Sequence, residues 1–131
     1  MMSPMKIRYR ETSTFKKSWK KLVKRFTTLP NDLETVKEAA IELMHIHGID
    51  NQSVYKIQGV SSESFDCYIV KKFACKSLKG RGARSGIRLT YVFDPVKNIV
   101  YFVEIYYKSD QAVEDKKLLK EILLILENEE E

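Results

Sequence analysis

Ile87-Arg88-Leu89-Thr90-Tyr91-Val92-Phe93, Asp94-Pro95-Val96-Lys97-Asn98 and Ile99-Val100-Tyr101-Phe102-Val103-Glu104-Ile105-Tyr106-Tyr107 together form the stretch that decides the fold. Its two outer runs are rich in branched and aromatic residues, which suit a pleated, half-buried surface. The segment between them places aspartate and proline for a type I turn. This pattern predicts an antiparallel hairpin.

Working outward, Phe65 to Ala74 reads as a further strand and Val54 to Ile57 as a weak extended piece. Ala112 to Leu126 reads as a helix, with Leu118, Leu119, Ile122, Leu123, Ile125 and Leu126 giving an apolar face wider than one sheet contact needs. Upstream, Phe15, Trp19, Leu22, Val23 and Phe26 make one apolar stripe, with Lys16, Lys17, Lys20, Lys21 and Lys24 outside it. Ser13 or Thr14 can cap that helix. Asn31 and Glu34 form a capping box after Pro30, and the second helix then runs to the stop at Gly48. Leu33, Val36, Ala40, Leu43, Met44 and His47 share its inner face. Lys6 to Arg10 alternates as a short first strand. The expected class is α+β, order β-α-α-β-β-β-α, with an αα-hairpin and the helices on one sheet face.

The 131 residues fit one domain, 1–131, with one core. A hydrophobic share of 44% beside 31% charged residues is that of an ordinary globular protein. Cys67 and Cys75 are too few and badly spaced for a disulfide framework or a zinc site, and read as buried or half-buried thiols in a reducing cytoplasm. No stretch has the apolar core of a signal peptide or the length of a membrane span, so a cytoplasmic protein without membrane contact is expected. No metal or cofactor is expected, since no phosphate-cradling loop, serine triad or dinucleotide fingerprint occurs. His45 and His47 sit about 200° apart on a helix and cannot share a ligand.

Charge is the functional signal. Between Cys67 and Phe93 stand seven basic residues and no acidic one: Lys71, Lys72, Lys76, Lys79, Arg81, Arg84 and Arg88. Such an excess on adjoining strands and a glycine-rich loop is the footprint of a phosphate-backbone ligand. Residues 127–131 carry four glutamates and form an acidic tail, expected to fray; without it the net charge of +5 becomes +9. Strand alternation turns Arg88, Thr90 and Val92 away from Ile87, Leu89 and Tyr91. One face can then pack on helices while Arg88 reaches an open groove, unless it pairs with Glu104 on the next strand.

Phe65-Asp66-Cys67-Tyr68-Ile69-Val70-Lys71-Lys72, Ser85-Gly86-Ile87-Arg88-Leu89-Thr90-Tyr91 and Val103-Glu104-Ile105-Tyr106-Tyr107-Lys108 occur in an order that resembles the RelE/ParE-like toxins of bacterial toxin–antitoxin systems. Ser-Gly-x-Arg-x-x-Tyr is the most specific of these matches, and the likeness spans about Phe15 to Leu126. It implies a RelE-like fold whose antiparallel sheet is mixed at one edge. It also implies an endoribonuclease that cuts messenger RNA, usually at the ribosome, and is silenced by a cognate antitoxin. The protein would act as a homodimer or in a toxin–antitoxin hetero-oligomer. A branch of the superfamily inhibits DNA gyrase without cutting RNA. On this resemblance Arg88, Lys71 and Lys108 are the catalytic candidates, and Lys72, Lys76, Arg81 and Arg84 the RNA-phosphate contacts. Ribosome-dependent members often carry a tyrosine or histidine near the C-terminus as general base; this chain has neither after Lys108, so either a lysine or Glu104 takes that role or cleavage is weak or absent.

Overall fold

The computed structural model describes residues 6–129. Strand β1 (Arg8–Glu11) leads into helix α1 (Ser13–Arg25). Thr12, one residue before the expected caps, closes the start of α1: its hydroxyl accepts from Phe15 N at 3.2 Å. Helix α2 (Leu29–Val36) begins at Leu29, with Pro30 in its first turn. Asn31 and Glu34 are therefore inside the helix, and no capping box forms there.

Beyond α2 the chain takes a π-helical stretch, Lys37–Glu42, before the last turn α3 (Leu43–His45). A π stretch bonds five residues ahead instead of four, so the inner face slips in phase. Ile41 is fully buried. His45 swings inward against Tyr68, Tyr91 and Phe93, while His47, expected inside, is exposed. The helix ends at His45, short of the expected Gly48, which follows a turn and sits at φ +67° with its N–H bonded to Met44 O.

Four strands follow, one more than the expected order: β2 (Val54–Ser61), β3 (Asp66–Val70), β4 (Ile87–Asp94) and β5 (Ile99–Tyr107). The expected strand from Phe65 to Ala74 stops at Val70, and the weak piece at Val54 extends to Ser61. The sheet order is β1-β5-β4-β3-β2, with β1 parallel to β5 and every other neighbour antiparallel. Asp94 Oδ1 accepts from Val96 N and Lys97 N and fixes the hairpin turn. A bulge at Val103 shifts the register between Thr90 and Tyr91, which leaves Phe102 and Ile105 on the same face.

Helix α4 (Lys116–Glu129) packs on the opposite face of the sheet from α1 and α2, against the expectation of helices on one face. The cause is a sheet with apolar residues on both faces, the second face built jointly by β2, β3, β4 and β5. Leu89, Tyr91 and Phe93 meet the first core with Phe15, Leu22 and Leu33. Val92, with Val103 and Tyr106 of β5, faces the other way and is covered by Leu119, Leu123 and Leu126. Each of those leucines contributes about 1.5–3 kcal/mol on burial. The sheet therefore separates two cores where one was expected. The acidic end is helical to Glu129, and Ser62 Oγ donates to Glu127 Oε1; residues 130 and 131 of the expected tail lie outside the described residues.

Candidate phosphate-binding groove

The ends of four strands meet at one rim of the sheet. Thr90 pairs with both Ile69 and Glu104, and Ile69 pairs with Tyr55, so these four form one row on the α4 side. The next row on that side is Lys71, Arg88 and Tyr106, since Arg88 pairs with Tyr106 and Lys71 follows Val70 opposite Leu89. Helix α4 starts too far along the sheet to cover the Lys71–Arg88 end. A groove of about 460 Å³ remains, lined by Tyr55, Lys71, Lys72, Arg84, Gly86, Arg88 and Lys108.

This groove gathers all three catalytic candidates. Lys71, Arg88 and Lys108 come from the ends of different strands and line it together, with Lys72 and Arg84 beside them. Lys76 and Arg81 do not belong to it. Lys76 lines a separate small hollow with Cys75 and Lys79, and Arg81 turns to the Tyr107 hydroxyl, to which its Nη1 donates at 3.0 Å. Tyr55 is the member that the sequence did not point to. It stands on the weakest strand pattern, and only its register opposite Ile69 places it beside Lys71, whose ammonium lies 5.4 Å from its ring centre.

The groove is built by fixed backbone. Lys71 N donates to Ser53 O at 2.9 Å, and Lys108 N donates to Gly86 O at 2.8 Å. Gly86 sits at φ +88°, the left-handed region that glycine adopts without penalty. The segment from Lys71 to Ser85 is anchored despite its glycines. Phe73 and Cys75 are buried in the first core, and Ser85 Oγ donates to Phe73 O and accepts from Ile87 N. Thr28 Oγ1 donates to Asp32 Oδ2 at 2.7 Å and accepts from Ser77 N at 2.9 Å, and Asp32 also accepts from Lys76 N.

No carboxylate lines the groove, and none of its five cations is in an ion pair among the described residues. Arg88 does not pair with Glu104; its Nη1 donates to the Lys71 carbonyl oxygen. Glu104 lies in a different groove, accepting from Gln111 Nε2, with burial raising its pKa. Glu104 is thus out of position as a base for a ligand on Arg88. Glu127, tied to the β2–β3 turn, is at the far end of the sheet and leaves the groove uncovered.

The two tyrosines before Lys108 diverge. Tyr106 is buried opposite Arg88, and burial pushes its phenol up to about 12. Tyr107 lies on the other face; hydrogen bonds from Ser109 and Arg81 lower its phenol below the usual range. Five clustered cations with aimed N–H donors can bind a phosphodiester and stabilise added negative charge on it. Among the described residues no three His, Cys, Asp or Glu side chains gather as a metal site, and no helix is long and apolar enough to cross a membrane.

No family model and no curated protein matches the chain. Among solved structures it is similar to a chain of the archaeal RelE–RelB complex from Pyrococcus horikoshii OT3, at 12% identity and a TM-score of 0.49. The match covers 79% of this chain and 97% of that one.

Proposed function

We propose that this chain is the toxin of a toxin–antitoxin pair, an endoribonuclease that grips a ribose–phosphate linkage of messenger RNA in the Lys71–Arg88–Lys108 groove. One observation carries this reading: three cations from separate strand ends line a single groove that contains no carboxylate. In the proposed reaction the 2′-hydroxyl oxygen attacks phosphorus and the bond to the 5′-oxygen breaks. The products are a cyclic phosphate and a free 5′-hydroxyl. The attacking oxygen gives up its proton to solvent water, and the leaving oxygen takes one from the protein. Arg88 presents its planar fork to two phosphoryl oxygens. Lys71 neutralises the growing charge, and Lys108 protonates the leaving oxygen. No metal or cofactor takes part. Fixed donors of this kind supply about 10²–10³ in rate each.

The proposed setting is the cytoplasm, with the ribosome as the place of cleavage and a cognate antitoxin as the silencing partner. Leu124 and Ile125, the outward apolar residues of α4, are 66% and 52% exposed and offer that partner a surface.

A second reading, a non-cleaving toxin that inhibits DNA gyrase or only binds nucleic acid, is favoured by the groove's lack of a ready base. Its lining has no histidine or carboxylate, and its one phenol, Tyr55, already donates to Gln52 O at 2.9 Å. Induced expression in a bacterial host, with mapping of transcript 5′ ends, separates the two. Cuts inside reading frames, lost in Arg88→Ala, support cleavage. Intact transcripts with a DNA-damage response support the second reading.

A further inference from the structure

A second groove, about 610 Å³ in volume, runs along α1. Lys17, Lys21 and Arg25 form one wall, facing Tyr106, Tyr107 and Leu118. Residues four apart stand on one side of a helix, here about 6 Å from one to the next along the axis. Lys17 and Lys21 have no acidic partner among the described residues. Arg25 is already paired with Asp110, and its guanidinium lies 5.4 Å from the Tyr107 ring centre.

The two grooves share a wall. Tyr107 lines the second, and Lys108, the next residue, lines the first. The Tyr107 ring also packs against Gly86 of the first groove: a Cβ placed there would lie 3.2 Å from Tyr107 Cε1. Phe26 holds the ring edge-on at 5.2 Å, and Arg25 and Arg81 flank it. A fixed aromatic face set among cations is a stacking platform for an unpaired base. The second groove also contains two acids, Asp110 and Glu104. Asp110 is paired with Arg25, and Glu104 accepts a hydrogen bond from the neutral Gln111 amide.

We propose that a single RNA strand leaving the Lys71–Arg88–Lys108 groove passes over the Tyr107 ring, which stacks a base, and enters the α1 groove, where Lys17 and Lys21 hold its phosphates. This subsite rests on the RNA reading of the first groove and extends it to a longer strand. It gives a role to Lys17 and Lys21, which stand beside an aromatic face without an ion-pair partner among the described residues.

The test uses the full chain and 2′-O-methyl RNAs, which cannot be cut, of about four and about twelve nucleotides. Binding is followed by fluorescence anisotropy over a range of salt. The longer RNA is expected to bind more tightly. The double variant Lys17→Ala/Lys21→Ala, altered only at exposed positions, should weaken the longer RNA roughly tenfold and reduce its salt slope by roughly 1.4, leaving the shorter RNA unaffected. Tyr107→Leu should also weaken the longer RNA. Equal binding of both lengths, or a double variant that binds the longer RNA normally, overturns the subsite and leaves the first groove standing. Failure of both RNAs to bind the wild-type chain removes the RNA reading and the subsite with it. A polyglutamate peptide of similar length that binds as tightly as RNA, with the same dependence on Lys17 and Lys21, overturns the subsite in favour of an acidic protein segment.

Discussion

The Arg88 guanidinium donates to the carbonyl oxygen of Lys71, a residue 17 positions away in the chain. The bond ties the end of β3 to the start of β4 and holds the arginine before any ligand arrives. It engages one Nη1 and leaves the other N–H donors of the fork available. A side chain held in this way loses less freedom when it binds a phosphate.

Arg88→Ala should therefore abolish growth inhibition and lower RNA cleavage about 10²–10³-fold while the fold persists. Arg88→Lys should recover little, since an ammonium cannot hold the Lys71 carbonyl and clamp two phosphoryl oxygens together. Cleavage assays beside thermal unfolding check this. A thermal midpoint that falls by more than a few degrees would mean that the residue is structural.

Gly86→Ala should destabilise the fold by about 1–3 kcal/mol, because φ is +88° and the new methyl would meet Tyr107. Urea unfolding measures the loss. Adding Tyr107→Ala should restore only the contact part, since the backbone strain remains.

Ser18 Oγ accepts from Ile105 N at 3.2 Å and donates to Phe15 O at 3.0 Å. It stands in for a neighbouring strand where β1 no longer covers β5. Ser18→Ala leaves the Ile105 N–H without its partner and should cost about 1–3 kcal/mol. Faster amide exchange at Ile105 would accompany that loss.

His45 links pH to stability. Desolvation lowers its pKa from 6.5 to about 4, and its Nε2 lies 2.7 Å from the Tyr91 hydroxyl. Between these values the unfolded chain binds the proton and the folded chain does not. Stability is therefore full above about pH 6.5 and falls as pH drops toward 4. The ring is partly exposed, so the loss is on the order of 1–2 kcal/mol. Urea midpoints across this range should follow that slope, and His45→Gln should flatten it.

Cys67 is fully buried, with its thiol pushed up to about 12. Cys75 is also buried and its pKa is raised. Neither should react with a thiol reagent at neutral pH until the chain unfolds. Rapid labelling of the native protein would contradict this packing.

Residues with strong local signals were legible in the sequence. Strand β5 covers the expected Ile99 to Tyr107, α1 carries the expected stripe, and the Asp94 turn closes the hairpin. Each depends on side-chain periodicity or turn chemistry within a few residues. The π stretch left no such mark, which is why His45 and His47 exchanged places.

Local order therefore determined which residues share a strand or helix, and where positive charge accumulates. Only tertiary structure decided that α4 crosses to the second face of the sheet, and that Lys71, Arg88 and Lys108 line one groove while Lys76 and Arg81 turn elsewhere. The physical reason is that periodicity tells which residues point the same way. It does not say which face a later helix will cover, or where a loop folded against Asp32 and Thr28 will direct its cations.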